Sequence, residues 1–216
     1  MALKRLLRKG IFAAGWINAG ASVLLAAGVF LASKIYAHLN HGPAVLNLRT
    51  ALDKALPLIP FFIIPYVSLE PLIYVSLIAF LVFRTRIFQS AAISLILAML
   101  VSSAMYLFLQ TEVIRPTVNG ADVFSRMVHD VYIGDNPYND FPSLHTSLST
   151  IIALHWWRTN WRLGIVAVVW TAAIAASTVF VKQHYVADVV SGLALAWGAS
   201  WVSRKVLPQE DTSVAP

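Results

Sequence analysis

Apolar residues fall in blocks of about 20 separated by short polar stretches, a pattern that predicts helices crossing a hydrocarbon core. The blocks lie at about 11–36, 66–83, 87–109, 143–157, 163–181 and 185–202. Six crossings return both ends of the chain to the same side. The first block is rich in Ala and Gly, small residues that let helices approach closely in lipid, so it is expected inside the bundle. A loop over 38–53 leads into a short amphipathic helix around 46–55. Pro57, Pro60, Pro65 and Pro71 make the start of the second block irregular. The longest polar connection runs for about thirty residues before Ser143 and reads as a loop without strong structure of its own.

Composition agrees with a bilayer solvent. Hydrophobic residues make up 58% and charged residues 12%, with a mean hydropathy of +0.71. A soluble domain carries roughly 25% charged residues. The net charge of +6 would raise nucleic-acid binding in a soluble protein, but ten of the sixteen Lys and Arg flank the apolar blocks. These are Lys4, Arg5, Arg8 and Lys9; Arg84 and Arg86; Arg158 and Arg162; and Arg204 and Lys205. Such clusters mark cytoplasmic loops, so both termini are placed in the cytoplasm and no nucleic-acid partner is expected. Cysteine is absent, which excludes a disulfide framework and thiolate metal sites. The first block exceeds the roughly 7 to 15 residues of a signal core and reads as an uncleaved span. The expected fold is therefore all-α: a polytopic membrane helical bundle forming one integral domain over 1–207, with a disordered tail over 208–216.

The chemistry sits at the ends of the last three blocks. Arg115-Pro116 comes first, then Pro142-Ser143-Leu144-His145, then Ser177-Thr178, with His184 and Asp188 beyond. Titratable groups beside lipid mark a site by default. His184 and Asp188 are four residues apart, a spacing that places both on one helix face and lets the carboxylate fix the ring tautomer. The other ring nitrogen of His184 is then free to attack phosphorus. His145 is suited to protonate the leaving alkoxide and then activate water. Ser143 can cap its helix and donate to a phosphate oxygen. Arg115 offers a planar donor fork and Lys182 a second cation. His38, His41 and His129 read as solvated, Glu70 as a headgroup-level residue, and His155 as too distant to join the pair. No His or carboxylate cluster has metal-ligand spacing, so neither metal nor cofactor is expected.

This order and spacing resembles the type 2 phosphatidic acid phosphatase superfamily, which includes lipid phosphatases, lipid phosphotransferases, glucose-6-phosphatase and vanadium haloperoxidases. The matching core covers 115–192. The resemblance implies His184 as nucleophile, His145 as acid and base, and Asp188 as the partner that orients His184. It implies Arg115, Ser143 and Lys182 as phosphate binders, a set that Ser177 of the third motif joins. Two positions depart from the family pattern: Phe108 stands where a lysine is usual, and Thr178 where an arginine is usual. Lys182 is the expected substitute for the second, and Gln110 a partial, neutral one for the first. The run Lys182-Gln183-His184-Tyr185 resembles the branch containing inositol phosphorylceramide synthases and their bacterial relatives.

The expected function is an integral membrane phosphatase cleaving phosphatidic acid or a polyprenyl diphosphate through a phosphohistidine at the extracytoplasmic face. The alternative is a lipid headgroup phosphotransferase of the inositol phosphorylceramide or sphingomyelin synthase type. Its partners would be an amphiphilic lipid phosphate and membrane lipids. Short loops and the absence of Asn-x-Ser/Thr acceptors lean toward a bacterial inner membrane, with the site facing the periplasm or exterior.

Overall fold

The computed structural model of the chain describes residues 10–11, 15–44 and 46–207. The basic group Lys4, Arg5, Arg8 and Lys9 and the tail 208–216 lie outside them. Helix α1 spans Gly15–Leu39, α2 Ala51–Ala55, α3 Ile63–Val67, α4 Leu69–Phe83 and α5 Thr85–Phe108. They are followed by α6 Val123–Gly134, α7 Leu144–Thr159, α8 Trp161–Phe180 and α9 Val186–Val206. Among the described residues there are two isolated bridges, Leu46 with Thr111 and Glu112 with Tyr138, and no strand. The all-α polytopic bundle is as the apolar blocks foretell.

Five helical segments among the described residues are long and apolar enough to cross a membrane: Gly15–Tyr36, Pro60–Phe83, Thr85–Phe108, Trp161–Phe180 and Val186–Val206. The expected fourth crossing is α7. Its 16 residues reach about 24 Å, short of the roughly 30 Å hydrocarbon core. It forms the axis of the bundle. Ile151 and Ile152 of α7 pack with Ala91, Ala92 and Leu95 of α5 and Ala196 and Ala199 of α9 in one buried cluster. Small residues on the flanking helices let the three backbones come together.

Helix α1 is peripheral, not internal. Only one stripe, Ser22, Leu25, Val29 and Ala32, turns toward α5, while Trp16, Leu24, Phe30 and Leu31 are exposed. Small residues allow close approach along one stripe, and the large side chains on the remaining faces suit lipid. The prolines act as expected on the next segment. A short 3-10 turn at Pro60–Phe62 precedes α3, and the helix is interrupted at Ser68 before α4 begins.

The long polar connection, expected as a loop, contains helix α6. Asp122 caps α6, its Oδ1 accepting from Phe124 N–H at 2.9 Å and Ser125 N–H at 3.1 Å. Phe124, Met127, Val128 and Val131 recur at spacings of three and four and pack on Ile63, Tyr66 and Val181. The polar residues on either side obscured that short periodicity. The expected helix at 46–55 shortens to α2, held by a reciprocal cap between Thr50 and Asp53.

Helices α7 and α9 touch at their N-terminal ends. Ser143 N–H donates to the Asp188 carbonyl at 3.0 Å. A Cβ on Gly192 would come within 2.7 Å of the Ser143 carbonyl oxygen and 3.0 Å of Thr146 Cβ, so glycine is required by the approach itself. Gly192→Ala should destabilise the fold by about 1–3 kcal/mol through overpacking. Thermal unfolding in detergent checks this; a variant as stable as wild type would mean the two helices have room to part.

Candidate active site

The first wall of the site is the start of α7. Ser143 is its N-cap, accepting from Thr146 N–H at 3.3 Å and Thr146 Oγ1 at 3.2 Å, which leaves the serine proton free to donate. His145 follows in the first turn, its ring stacked on Tyr66 of α3 with centroids 4.1 Å apart and planes inclined by 19°. The broken, proline-rich entry to α4 is what brings that tyrosine beneath the histidine.

The second wall is the turn between α8 and α9. Lys182 N–H donates to the Val179 carbonyl at 3.2 Å, and Gln183 N–H to the Thr178 carbonyl at 2.9 Å. Together these bonds make a Schellman ending. The residue that must turn left-handed is Lys182, at φ 56°. A non-glycine residue there is strained by about 1–2 kcal/mol. Its ammonium donates to the carbonyls of Leu56 at 2.6 Å and Asp53 at 3.2 Å. These two hydrogen bonds tie the turn to the α2 corner and use two of the three ammonium donors. The same corner is fastened by Val186 N–H, which donates to Asp53 Oδ1 at 2.9 Å.

His184 emerges from this turn, before α9 begins. The expectation that it shares a helical face with Asp188 is corrected accordingly, yet the two still meet. Asp188 is the third residue of α9, and its Oδ2 reaches back to accept from Tyr185 N–H at 2.7 Å. That places the same oxygen 3.5 Å from His184 Nδ1. The separation is longer than a hydrogen bond. The His145 and His184 rings lie 6.1 Å apart between centroids, at 60°.

Arg115 reaches the same place from the loop before α6. Its Nη1 donates to the carbonyls of Asp135 at 2.6 Å and Tyr132 at 3.3 Å, and its Nη2 to the Asn136 carbonyl at 3.3 Å and to Gln183 Oε1. Its guanidinium also sits 4.9 Å from the Tyr132 ring centroid. The end of α6 thus anchors Arg115 against the residue next to His184. Several buried polar atoms at this convergence have no hydrogen-bond partner: Arg115 Nε, Gln183 Nε2, His184 Nδ1 and Asp188 Oδ1. The orphan donors among them, Arg115 Nε and Gln183 Nε2, are what an oxyanion would satisfy.

The other expected members are placed differently. Ser177 is fully buried and donates its hydroxyl to the Ile174 carbonyl at 2.6 Å, one turn back in its own helix. Thr178 does the same to Ala175 at 2.8 Å. Gln110 is wholly occupied: its amide donates to Leu39 and His41 carbonyls at 3.0 and 3.1 Å, and its oxygen accepts from Asn139 N–H at 2.9 Å. It is a staple between segments, and Phe108 nearby is 79% exposed. Neither Tyr66 nor Asp53 is among the sequence candidates, and Gln183 and Tyr185 enter there only within the Lys182–Tyr185 run. Tyr185 Oη accepts from Ile114 N–H at 2.9 Å, which ties the Arg115 loop to the second wall. The Tyr immediately after His184 was the available signal.

A family model described as the PAP2 superfamily matches residues 37–202. No curated protein and no solved structure matches the chain.

Asp140 completes the electrostatics from the loop before α7. It is 3% exposed, and its Oδ2 has no hydrogen-bond partner. Burial first, and then the negative charge of Asp188, push its carboxyl up from its ordinary 3.8 to about 9. Between those values the folded chain holds a proton that the unfolded chain has lost, so this group makes stability fall as pH rises through the window. Asp140→Asn, neutral and of like shape, should raise stability at neutral pH by at least about 1 kcal/mol and flatten its decline from acid to neutral pH. Unfolding midpoints across that range test it; an unchanged pH slope would show that Asp140 is ionised.

Proposed function

The chain belongs to the PAP2 superfamily, and from that membership together with the histidine pair we propose that it cleaves the phosphomonoester or diphosphate of an amphiphilic lipid through a phosphohistidine on His184. Membership supports a phosphatase- or phosphotransferase-type function on lipid phosphates. The apolar helices make the chain an integral membrane protein. The observation that carries the finer reading is the meeting of two imidazoles, 6.1 Å apart, with a carboxylate behind one of them.

In this reading Asp188 holds His184 Nδ1 and stabilises the positive ring, and Nε2 attacks phosphorus. As the N–P bond forms and the P–O bond to the lipid breaks, His145 gives its proton to the leaving oxygen. His145 then takes a proton from water as that water displaces the histidine and releases inorganic phosphate. Arg115 and the Ser143 hydroxyl neutralise the equatorial oxygens, assisted by the orphan amide of Gln183. Lys182 and Ser177 act one step back, shaping the turn that presents His184. The headgroup enters from the extracytoplasmic surface, because the site lies at the ends of α7 and α9 away from Arg158, Arg204 and Lys205.

Purified protein given phosphatidic acid or a polyprenyl diphosphate should release phosphate with chelator present. His184→Ala should lower the rate by roughly a thousandfold or more, as loss of a nucleophile does. His184→Ala turning over at wild-type rate would reject the assigned nucleophile. Adding a lipid alcohol and following new lipid product by mass spectrometry separates hydrolysis from phosphoryl transfer.

A further inference from the structure

A second polar cluster lies where α7, α8 and α9 run away from the histidine pair. His145 and Arg158 are thirteen positions apart on α7, about 20 Å along the axis. A cavity of about 330 Å³ opens here, with Arg158, Arg204, Ser200 and His155 among its lining residues, and Trp157 and Trp197 beside them. Both tryptophans are more than half exposed, so the opening is flanked by apolar surface. This cavity is remote from the proposed chemistry.

Its charges are unbalanced. Arg204 Nε donates to the Ser200 carbonyl at 3.2 Å, and Arg158 Nη1 to Ser90 Oγ at 3.4 Å. A guanidinium carries five N–H donors, so these bonds leave most of each fork unspent. The two groups act on one another as like charges. Among the described residues no carboxylate pairs with either. Ser200 is 3% exposed, and its Oγ has no hydrogen-bond partner. His155 braces the floor instead of offering a donor: Nδ1 contacts the Ile151 carbonyl at 2.8 Å, and Nε2 contacts Ser90 Oγ at 3.1 Å. Snorkelling explains one arginine at a helix end. It does not bring two like charges to one cavity beside a stranded buried hydroxyl.

We propose that this cavity is a second anion site, binding a phosphate oxyanion presented either by an acidic phospholipid headgroup or by free inorganic phosphate. A planar fork on each side matches phosphate oxygens, and the Ser200 hydroxyl supplies a further donor. The site stands independently of the histidine chemistry and is tested by binding alone.

Brominated phosphatidylglycerol and brominated phosphatidylcholine, each titrated into the detergent-solubilised full chain, report contact by quenching tryptophan fluorescence. The acidic lipid should quench saturably and at lower concentration than the neutral one. Joint Arg158→Gln and Arg204→Gln substitution should weaken that response by roughly tenfold or more. Joint Arg162→Gln and Lys205→Gln substitution, which removes charge outside the cavity lining, should leave it unchanged. Inorganic phosphate that displaces the acidic lipid marks the free anion as a ligand, and phosphate that does not marks the lipid headgroup. Equal quenching by both lipids in the wild-type chain would overturn the proposal, whether or not the variants fold. So would an Arg158 and Arg204 variant that binds the acidic lipid as tightly as wild type.

Discussion

Everything at the proposed site depends on how closely the first turns of α7 and α9 approach. One backbone hydrogen bond, Ser143 N–H to the Asp188 carbonyl, joins the two helix starts, and Gly192 leaves no side chain between them. His145 lies two residues beyond one end of that bond, and His184 four residues before the other. The bond therefore sets the spacing of the rings without either ring touching it. A site built this way needs rigid neighbours, and the buried cluster around Ile151, Ile152, Ala196 and Ala199 supplies them. Short apolar residues pack the helices along their length, so that the polar ends are held in register.

Around that bond the surrounding segments act as clamps. The Lys182 ammonium and the Asp53 carboxylate bind opposite directions of the α2 corner to the turn bearing His184. Tyr185 fastens the Arg115 loop, and the last turn of α6 receives the guanidinium on carbonyl oxygens, which carry negative partial charge at a helix end. Tyr66 supports His145 from below. These contacts come from segments distant in sequence, and most use backbone atoms. Strain at Lys182 and the burial of a protonated Asp140 work against stability at the same place, a common pattern where geometry serves chemistry.

Much of this was legible in the residues. Block length and hydropathy gave the bundle, because hydrocarbon imposes a simple length rule. The motif order named His145, His184, Asp188, Arg115 and Ser143, all of which converge. What was not legible depends on tertiary contact. Alternating small and large residues on α1 do not say which stripe finds a partner, so its peripheral position was missed. The capping geometry that lets Asp188 meet a histidine lying outside the helix looks identical in sequence to a shared helical face. That the Lys182 ammonium also holds the Asp53 and Leu56 carbonyls is a contact of the same tertiary kind. Helix α6 was hidden because its apolar face is only four or five residues long.

The central claim is that His184, oriented by Asp188, carries the phosphoryl group while His145 manages the proton. Peptide mapping of the His145→Ala variant after brief exposure to a ³²P-labelled lipid phosphate bears on it most directly, since loss of the second histidine should leave the intermediate stranded. The account predicts an acid-labile, alkali-stable label on the peptide containing His184. A label on another residue, or phosphate release from that variant at the wild-type rate, would contradict it.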